Sequence, residues 1–554
     1  MRTKMLIKER YVTFETNEKY NSVTVNFIEG DRIVEQVFTC LGPNEEKEEK
    51  YFVDMTEFIG RELEVDVVTC HSEWGHYPEG ELSEEVIAER IKYVRNEHDY
   101  TDEPYSEPYR PKYHYTTQRG WINDPNGCLY YDGLYHMYYQ HCPGSIHSMW
   151  DNNHWGHAVS TDLIAWEEFQ PPLRYPHEAS GTGFMNRETG KVNVTTSNRI
   201  YESDDGGFSY ELRGINTAGN GDPKIFWHEE SQRYISITLR DIISYSVSSS
   251  PDLKNWRHES DIEQFRECPE MCKYRIEGTD EYKWVLNGGD GAYMIGQFDG
   301  HEFIPDPIEM DRLDRYVHIM EPTRHFNKKY NGIFIDESIP DTENRYTAYA
   351  HQNFDGAPDG RHIRIAWFTV PYHELGMPFT QAMTIPQELK LRYTPLGLRL
   401  CAQPVNELYR HHKEELSYVG PDPKLSMPSG DAFDCFAKFD AKETLTIANY
   451  TIKYLADEHK IAVTHTNGHT FTVPFIDHDG EIAVRVLFDT MLCEFFFGDG
   501  EIYFPHPSME QLDGIEASIT NHGTLTVASV NKTIGLELPW PEKTDPARYS
   551  KPEN

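Results

Sequence analysis

The sequence predicts an all-β protein of two or three domains, and three observations support this fold class. Aromatic residues make up 13% of the chain, with 35 tyrosines among 554 residues, whereas helical stretches rich in Ala, Leu, Glu and Lys are scarce. Several segments alternate apolar and polar residues, which is the period of half-buried strands. A weak repeat in the middle of the chain is typical of a fold built from similar β units. The length exceeds what one ordinary hydrophobic core organises.

Residues 1–110 are predicted to form an N-terminal β-rich module. Apolar residues alternate with polar ones at Val23, Val25 and Phe27, as expected for a strand with one buried face. A short helix is expected over residues 83–91, because Ser83 is a suitable N-cap and two glutamates follow it. The acidic stretch 96–111, rich in Tyr and Pro, is predicted to be a linker.

The clearest local pattern of residues 111–402 is a β-hairpin. Residues 128–131 and 134–139 are rich in Tyr and apolar side chains, and Asp132-Gly133 between them is typical of a two-residue hairpin turn. The run Asn123-Asp124-Pro125-Asn126-Gly127 stands just before this hairpin. Pro125 favours an extended Asp124, and Asn126-Gly127 predicts a tight turn. Asp124 is therefore either a structural turn cap or a positioned catalytic group.

A repeat runs through the same region. Ser160-Thr-Asp-Leu-Ile-Ala-Trp166 recurs as Ser250-Pro-Asp-Leu-Lys-Asn-Trp256, and Ser203-Asp-Asp-Gly-Gly-Phe-Ser-Tyr210 is a weaker copy between them. The underlying unit therefore has about half the spacing of the two strong copies. Four-strand units of about 40–50 residues are typical of β-propeller blades, and residues 111–402 would hold about five or six of them.

Residues 403–554 are predicted to form a C-terminal β-sandwich. Apolar residues alternate at Val484, Val486 and Phe488 and again at Phe495 and Phe497. Such alternation is expected where one face of each strand is buried against a second sheet.

The charge balance disfavours several classes of partner. The chain has 52 basic and 91 acidic residues, a formal net charge of −39. Such a surface would repel nucleic acid and anionic membranes, and it disfavours a polyanionic substrate. A neutral small molecule fits better, although the acidity is also consistent with a role in solubility alone.

The remaining composition predicts a cytoplasmic protein. Nine cysteines are spread over the chain, which does not indicate a disulfide framework, and nothing completes a zinc site with Cys268 and Cys272. The N-terminus lacks the apolar core of a signal peptide, and no run of about 18 apolar residues could cross a membrane. No metal or other cofactor is expected. A homo-oligomer is compatible with the sequence.

Three acidic motifs precede strand patterns in the middle region. Asp124 stands in Asn-Asp-Pro, Asp222 in Gly-Asp-Pro and Glu267 in Glu-Cys-Pro, and each is followed by a predicted strand pair. Because equivalent positions of different propeller blades converge on the axis, we expect the three carboxylates to meet in one pocket. An acid that protonates a leaving oxygen and a carboxylate that attacks or activates water are what glycoside hydrolysis requires. An oxygen-rich calcium site is the alternative, although no Asp-x-Asp-x-Asp loop accompanies these motifs.

These residues resemble glycoside hydrolase family 32, the family of invertases, levanases and inulinases. The resemblance is carried by Trp121-Ile-Asn-Asp-Pro-Asn-Gly127, Tyr135-His-Met-Tyr-Tyr-Gln140, His154-Trp-Gly-His-Ala-Val-Ser160, Glu267-Cys-Pro269 and Gln381-Ala-Met-Thr-Ile-Pro-Gln-Glu-Leu389. It covers roughly residues 112–540. It implies a five-bladed β-propeller, a C-terminal β-sandwich and a retaining mechanism without metal.

The resemblance also implies a role for individual residues. Asp124 corresponds to the nucleophile, Glu267 to the general acid/base, and Asp222 to the aspartate that binds the fructose hydroxyls and stabilises the transition state. The positions that match sugar-contacting residues of the family are Asn123, Gln140, Trp150 and Trp367. For the two tryptophans taken alone, core packing would be the simpler interpretation.

Three departures from the family pattern concern the sugar pocket. Gly221 stands where the family has the arginine of Arg-Asp-Pro, which removes a charge-assisted contact and tends to raise the pKa of Asp222. The Phe-Ser-Gly-Ser segment is reduced to Ala179-Ser-Gly-Thr-Gly183, and Asp-Phe-Tyr-Ala to Thr347-Ala-Tyr-Ala350. Arg213, Arg240 and Lys224 are candidates to replace the arginine.

The resulting hypothesis is a retaining glycoside hydrolase that releases fructose from β-fructofuranosides such as sucrose, fructo-oligosaccharides, or levan and inulin fragments. A fructosyltransferase or a furanosidase for an unusual linkage is the nearest alternative, motivated by Gly221. A catalytically silent carbohydrate-binding propeller is a further alternative, which the retained acid pair disfavours.

Overall fold

β-strands form nearly all the regular structure of the computed structural model, which confirms the predicted β class. The structure describes residues 2–17, 20, 23–30, 32–43, 50–69, 82–96, 105–142, 154–169, 171–173, 179–219, 221–241, 244–263, 265, 267–289, 291–307, 318–319 and 348–536.

Two sheets make up the N-terminal region. Their strands are β1 (Arg2–Leu6), β2 (Tyr11–Glu15), β3 (Val23–Glu29), β4 (Arg32–Thr39), β5 (Lys50–Asp54), β6 (Glu62–Thr69) and β7 (Val94–Asn96). The strand orders are β1-β6-β3-β4 and β5-β2-β7. Val23, Val25 and Phe27 are buried in the core of this region, as predicted, but Thr24 and Asn26 are buried too, so β3 is covered on both faces.

Among the described residues there is one α-helix, and it begins where the sequence predicts. Helix α1 (Glu84–Arg90) follows Ser83, whose hydroxyl accepts a hydrogen bond from the Val86 amide at 3.4 Å. No helix in the described part of the chain is long and apolar enough to cross a lipid bilayer. Short 3-10 segments are Thr56–Phe58, Ile91–Tyr93, Pro358–Gly360, Tyr372–Leu375, Asn406–His411 and Ala456–Glu458.

Five antiparallel sheets follow one another through the middle of the chain. The first contains β8 (Gly120–Tyr131), β9 (Leu134–Cys142), β10 (His154–Ser160) and β11 (Glu167–Phe169). The second contains β12 (Gly181–Met185), β13 (Val192–Thr196), β14 (Arg199–Glu202) and β15 (Glu211–Ile215). The third contains β16 (Lys224–His228), β17 (Arg233–Asp241), β18 (Ser244–Ser250) and β19 (Arg257–Glu263).

The fourth and fifth sheets have the same four-strand pattern with short additions. The fourth contains β20 (Glu270–Arg275), β21 (Tyr282–Asn287), β22 (Ala292–Phe298) and β23 (Phe303–Pro305), and β24 (His318–Ile319) pairs with β22. The fifth contains β25 (Ala348–Asn353), β26 (His362–Phe368), β29 (Gln387–Thr394) and β30 (Gly397–Pro404). Between them in sequence, β27 (Phe379–Thr380) pairs with β8 and β28 (Ala382–Met383) pairs with β26.

The fifth sheet returns to the first. The Asp355 amide, just after β25, donates to the Cys128 carbonyl at 3.0 Å, and the Asp355 carbonyl accepts from the Tyr130 amide at 2.8 Å. The first strands of successive sheets are also linked by side chains: the Thr182 hydroxyl of β12, for example, donates to the Pro223 carbonyl just before β16. First strands of neighbouring sheets therefore lie in contact, β8 with β25 and with β12, and β12 with β16.

Strand β8 corrects one prediction and confirms another. Asp132 and Gly133 both have positive φ, 46° and 88°, and join β8 to β9 in the predicted two-residue turn. Asn126-Gly127 forms no chain-reversing turn, because β8 runs from Gly120 to Tyr131 without a break. The pairing of β8 with β9 shifts twice instead, between Ile122 and Pro125 and between Asn126 and Leu129. The turn-forming residues are used for two bulges within one strand.

The sequence repeat corresponds to one kind of turn, placed between the third and fourth strands of the first three sheets. In each copy an aspartate accepts hydrogen bonds from two backbone amides of its own turn. Asp162 accepts from Ile164 and Ala165 at 3.0 and 2.9 Å. Asp252 accepts from the amides two and three positions later, as Asp162 does, whereas Asp205 accepts from those three and four positions later. The two strong copies are two sheets apart, which explains why the unit has half their spacing.

Asp162 also contacts His411, and we expect replacement of Asp162 to reduce the stability of the protein. Its second oxygen lies 2.8 Å from His411 Nε2. Burial alone would raise the pKa of Asp162, but hydrogen bonds from His411 and two amides lower it overall. Asp162→Ala is expected to reduce the free energy of unfolding by roughly 2–3 kcal/mol, because these bonds are made to a charged group. The urea midpoint measures this change. Asp252→Ala, at an exposed copy of the turn, should cost less, and equal losses would contradict the role of His411.

Two six-stranded sheets form the C-terminal region and share one hydrophobic core. The first contains β31 (His412–Pro421), β33 (Phe433–Asp440), β38 (Glu481–Asp489), β39 (Leu492–Phe497), β40 (Ile502–His506) and β42 (His522–Val530). The second contains β32 (Lys424–Met427), β34 (Thr444–Ile447), β35 (Tyr450–Leu455), β36 (Lys460–His465), β37 (Thr470–Pro474) and β41 (Ile515–Ile519). The alternating residues of β38 and β39 are buried between the two sheets, as predicted.

Candidate active site

Asp124 lies in the first bulge of β8. Residues 123 and 124 both fall in the register shift between Ile122 and Pro125. A bulge turns its extra side chain away from the regular alternation of a strand. The carboxylate points toward Ser180, just before the second sheet, and Cys268, just before the fourth sheet.

Hydrogen-bond donors surround the Asp124 carboxylate. Ser180 Oγ donates to Oδ2 at 2.6 Å, and Asn123 Nδ2 donates to Oδ1 at 3.1 Å. The pKa of Asp124 is raised overall, by burial first and also by the charge of Glu267, while the hydrogen bonds from Ser180 and Asn123 oppose this rise. The donors favour the ionised form, which is the form required of a nucleophile.

Asn123 and Gln140 connect Asp124 to the second sheet. Asn123 Nδ2 also donates to Gln140 Oε1 at 2.7 Å, and Gln140 Nε2 donates to Ser180 Oγ at 2.8 Å. Trp121 Nε1 donates to Asn123 Oδ1 at 2.9 Å. The chain of bonds fixes the amide orientations of both residues, since each oxygen faces a donor.

Asp222 approaches the site from the third sheet. Its backbone has φ of 41°, and its Oδ2 accepts a hydrogen bond from the Cys268 amide at 3.2 Å. The Cys268 thiol lies 3.7 Å from Asp124 Oδ2 and 3.8 Å from Asp222 Oδ2. Burial, and then the charges of Asp124 and Glu267, raise the pKa of Asp222 to about 7. This rise in the pKa of Asp222 agrees in direction with the expectation drawn from the missing arginine, although burial is its largest cause.

Glu267 completes the group from the fourth sheet. Tyr349 of β25 donates its hydroxyl hydrogen to Glu267 Oε2 at 2.5 Å. The Glu267 carbonyl accepts from the Tyr245 hydroxyl and from the Gly289 amide, both at 2.9 Å. Glu267 has φ of 31° and Cys268 has φ of 47°, a conformation that residues with a side chain adopt only when neighbouring contacts enforce it.

Aromatic rings form one wall of the site. The Trp367 ring lies 6.1 Å from the Trp121 ring and 6.5 Å from the Tyr349 ring, measured between centroids. Trp367 Nε1 donates to Gln381 Oε1 at 3.3 Å. Trp367 is only partly buried, so part of its surface stays available to a ligand. Trp150 lies outside the described residues.

Gly221 leaves no cation beside Asp222. Its φ is 125°, and a Cβ there would come 3.2 Å from Leu239 Cβ, so an arginine would be strained at this position. The three candidate substitutes are paired elsewhere: Arg213 with Glu211 at 2.8 Å, Arg240 with Asp261 at 2.7 Å and Lys224 with Glu270 at 2.9 Å. In the part of the chain that the structure describes, no basic side chain forms an ion pair with Asp222.

Ser180 and Tyr349 are pocket residues that the sequence reading did not select. Ser180 immediately precedes β12, and Tyr349 lies in β25. Both therefore occupy the place, at the start of a sheet, that Asp124, Asp222 and Glu267 occupy in the other three. Neither stands in an acid-proline motif, so the pattern that selected the three carboxylates could not select them.

The three carboxylates differ in the groups that surround them. Asp124 is held by donors, Asp222 is buried beside two like charges, and Glu267 accepts one short bond from a tyrosine. Carboxylates in unequal environments can hold a proton on one while another stays ionised, which is the basis of general acid catalysis beside a nucleophile. No cluster of three or more His, Cys, Asp or Glu suited to a metal ion occurs among the described residues.

The raised pKa of Asp222 predicts a pH dependence. We expect kcat/KM to rise with pH through about 7, because only the ionised carboxylate can accept hydrogen bonds with both oxygens. Asp222→Asn should lower kcat/KM and remove this acidic limb. Initial rates across the pH range measure both effects, and an unchanged limb in the Asn variant would assign it to another group.

Comparison with known proteins gives consistent matches. The family model described as "Glycosyl hydrolases family 32 N-terminal domain" matches residues 114–203 and 182–404, which together span more than half of the chain. A levanase of Bacillus subtilis is 26% identical over 522 residues, covering 78% of this chain and 72% of the levanase. An extracellular exo-inulinase of Aspergillus awamori is 24% identical over 530 residues, covering 76% of this chain and 93% of the relative.

Solved structures share the fold. The crystal structure of the exo-inulinase from Aspergillus awamori matches with a TM-score of 0.64 at 21% identity, covering 77% of this chain and 99% of that one. The fructofuranosidase from Schwanniomyces occidentalis, complexed with fructose, matches with a TM-score of 0.64 at 19% identity, covering 78% of this chain and all of the other. On the family match, the chain belongs to glycosyl hydrolase family 32.

Proposed function

We propose that this protein is a retaining β-fructosidase that releases fructose from β-fructofuranosides. The observation that carries the proposal is the convergence of Asp124, Asp222 and Glu267, from three different sheets, around the Cys268 backbone and thiol. The names of the relatives, levanase and exo-inulinase, support fructosides as the substrate class. Sucrose and fructo-oligosaccharides are the proposed substrates, with levan and inulin fragments as longer ones.

In the proposed mechanism Asp124 is the nucleophile and Glu267 the general acid/base. An Asp124 oxygen forms a bond to the anomeric carbon while the glycosidic C–O bond breaks, and Glu267 gives its proton to the leaving oxygen. Water then attacks the anomeric carbon of the fructosyl-enzyme, and Glu267 takes a proton from that water as the bond to Asp124 breaks. Asp222 accepts hydrogen bonds from the sugar and stabilises the transition state.

The remaining predicted site residues are assigned to sugar binding. Asn123 and Gln140 are oriented by their mutual hydrogen bond, so their positions beside Asp124 are fixed before a ligand arrives. Trp367 offers an apolar surface on the same side as Glu267. Trp150 is proposed as a further sugar contact on the resemblance alone.

We also propose that the five central sheets are blades of a five-bladed β-propeller, with residues 111–402 as the catalytic domain. The contacts of each first strand with the next and the bonds from Asp355 back to β8 support this arrangement. Residues 1–110 are proposed as an accessory module and residues 403–554 as a β-sandwich, on the basis of their separate cores. The cytoplasmic location stays a prediction.

A product panel tests the function. We expect free fructose from at least one of sucrose, kestose, inulin and levan, followed by chromatography of the products. With methanol present, methyl β-fructofuranoside should form, because a retaining enzyme transfers the sugar with its configuration preserved. Methyl α-fructofuranoside would contradict retention, and no fructose from any of the four would contradict the proposed function.

Gly221 supports two alternatives, which the products of the panel and a test with aryl furanosides distinguish. Because Gly221 supplies no cation beside Asp222, the contacts to the fructosyl ring are expected to differ from the family pattern. A fructosyltransferase would give oligosaccharides longer than the sucrose or kestose supplied. A furanosidase for an unusual linkage would act on none of the four substrates but would cleave aryl furanosides.

A further inference from the structure

A buried ion pair lies beneath the carboxylates. Lys224, the first residue of β16, is two positions after Asp222, and Glu270, the first residue of β20, is three positions after Glu267. Lys224 Nζ lies 2.9 Å from Glu270 Oε2 and donates a hydrogen bond to Oε1 at 3.2 Å. The side chains are only 3% and 2% exposed. The pair therefore joins the third and fourth sheets at the strands that carry two of the three acids.

The backbone directly above this pair is strained. Asp222, Glu267 and Cys268 have φ of 41°, 31° and 47°, in the left-handed region that favours glycine. Such a conformation is unfavourable for a residue with a side chain and persists only where the surroundings determine it. The two acids therefore need contacts that fix both chain segments at once.

The two chain segments are linked at two places. At the strained residues themselves, Asp222 Oδ2 accepts from the Cys268 amide at 3.2 Å. At the starts of β16 and β20, Lys224 and Glu270 make the ion pair, and Glu270 also accepts a hydrogen bond from the Asn353 amide of the fifth sheet. Burial lowers the pKa of Lys224, but neighbouring acids, Glu270 first, raise it overall, so the lysine is charged.

The pair is not expected to contribute much net stability. Removing two charges from water costs several kcal/mol, and replacement of such a pair by well-packed apolar residues is often neutral or stabilising. A buried pair in this place has geometric consequences, because its bonds are directional and set the relative position of β16 and β20. Apolar side chains would fill the same space without fixing that position.

We propose that Lys224 and Glu270 are positioning residues that hold Asp222 and Glu267 in their catalytic arrangement. The inference rests on the proposed function of the site, since it assigns Glu267 as the proton donor. Both side chains are buried, so neither is expected to contact a bound sugar. Both act through the strands that they lock together.

The double variant Lys224→Met, Glu270→Leu separates positioning from stability. We expect the variant to fold with a somewhat lower urea midpoint, because the Asn353 amide and the buried Asp355 each lose a partner. Its kcat/KM for sucrose should fall about 10- to 100-fold, the scale of a displacement of about 1 Å. The loss on p-nitrophenyl β-fructofuranoside should be smaller, because nitrophenolate leaves with little help from a proton donor. Glu270→Asp keeps the charge but shortens the side chain. It should lose less kcat/KM than the double variant, and again more on sucrose than on the nitrophenyl substrate.

A second buried ion pair supplies the control. Arg485 and Asp434, in the C-terminal region, are 7% and 4% exposed and lie 2.6 Å apart. Arg485→Met, Asp434→Leu should leave kcat/KM unchanged on both substrates. The inference is overturned if the folded Lys224/Glu270 variants keep wild-type kcat/KM, or lose activity equally on both substrates. A wild-type protein that releases no fructose would reject the proposed function instead.

Discussion

Replacing Asp124 with Asn is expected to lower kcat for fructose release by at least about 10⁴-fold, because the amide cannot form the covalent intermediate. The substitution keeps the size of the side chain and its place in the β8 bulge. Ser180 and Asn123 can still contact it, although one donor then faces an amide nitrogen instead of an oxygen. Binding of the sugar should therefore change far less than turnover.

Initial rates on sucrose and isothermal titration with fructose measure the two effects separately. Asp132→Asn is the matched control, since Asp132 lies in the exposed turn at the other end of β8, where Asn tolerates a positive φ. In the wild type, mass spectrometry of acid-quenched reactions should find a fructosyl adduct on the peptide that contains Asp124. An active Asn variant, or an adduct on another peptide, would reassign the nucleophile.

The second large effect concerns stability. Replacing His114 with Leu is expected to reduce the free energy of unfolding by about 3–5 kcal/mol, because it leaves buried carboxylates without their cation. His114 is fully buried, with Nδ1 2.9 Å from Asp489 Oδ2 and Nε2 3.4 Å from Glu494 Oε2. It precedes β8, whereas both acids belong to the C-terminal region. His258→Leu, at an exposed histidine, should change stability by less than about 0.5 kcal/mol.

The same contact predicts how stability depends on pH. Burial lowers the pKa of His114, but the neighbouring carboxylates of Asp489 and Glu494 raise it from 6.5 to about 9. A histidine whose pKa is higher in the folded state stabilises fully below its unfolded pKa, and this contribution is lost as pH rises through the folded pKa. The urea midpoint of the wild type should therefore fall between pH 6.5 and 9. The same fall in His114→Leu would assign it to other groups.

Local patterns predicted the local structure well. The Asp132-Gly133 turn depends on two φ angles that these residues adopt at little cost, and Ser83 caps α1 with its own hydroxyl. The repeated Ser-x-Asp turn is also local, since Asp162 binds amides two and three positions later. In each case the stabilising contacts lie within a few residues of the pattern that predicts them.

Asn126-Gly127 was predicted wrongly for a physical reason. The same residues that favour a chain-reversing turn also favour a bulge, and pairing with β9 decides between them. That pairing is a tertiary contact which the run itself does not contain. The first of the two bulges in β8 also directs Asp124 toward the other two acids, so the bulged conformation of this run matters for the active site.

The convergence of the acids followed from reading three motifs as equivalent positions of repeated units. The partners of those acids were harder to predict. Tyr349 reaches Glu267 from the fifth sheet, and Ser180 reaches Asp124 from the second. Both lie in segments that depart from the family pattern, and only the arrangement of the sheets shows that they face the same centre.

The bonds between Asp355 and β8 also set the order of events during synthesis. Strand β8 leaves the ribosome early, but Asp355, which bonds to Cys128 and Tyr130 of that strand, follows much later. At typical translation rates Asp124 waits roughly 10–50 s before Asp355 is made. During that interval β8 has an open edge and Glu267 lacks its tyrosine. The nascent enzyme is therefore expected to be inactive at least until the fifth sheet has emerged.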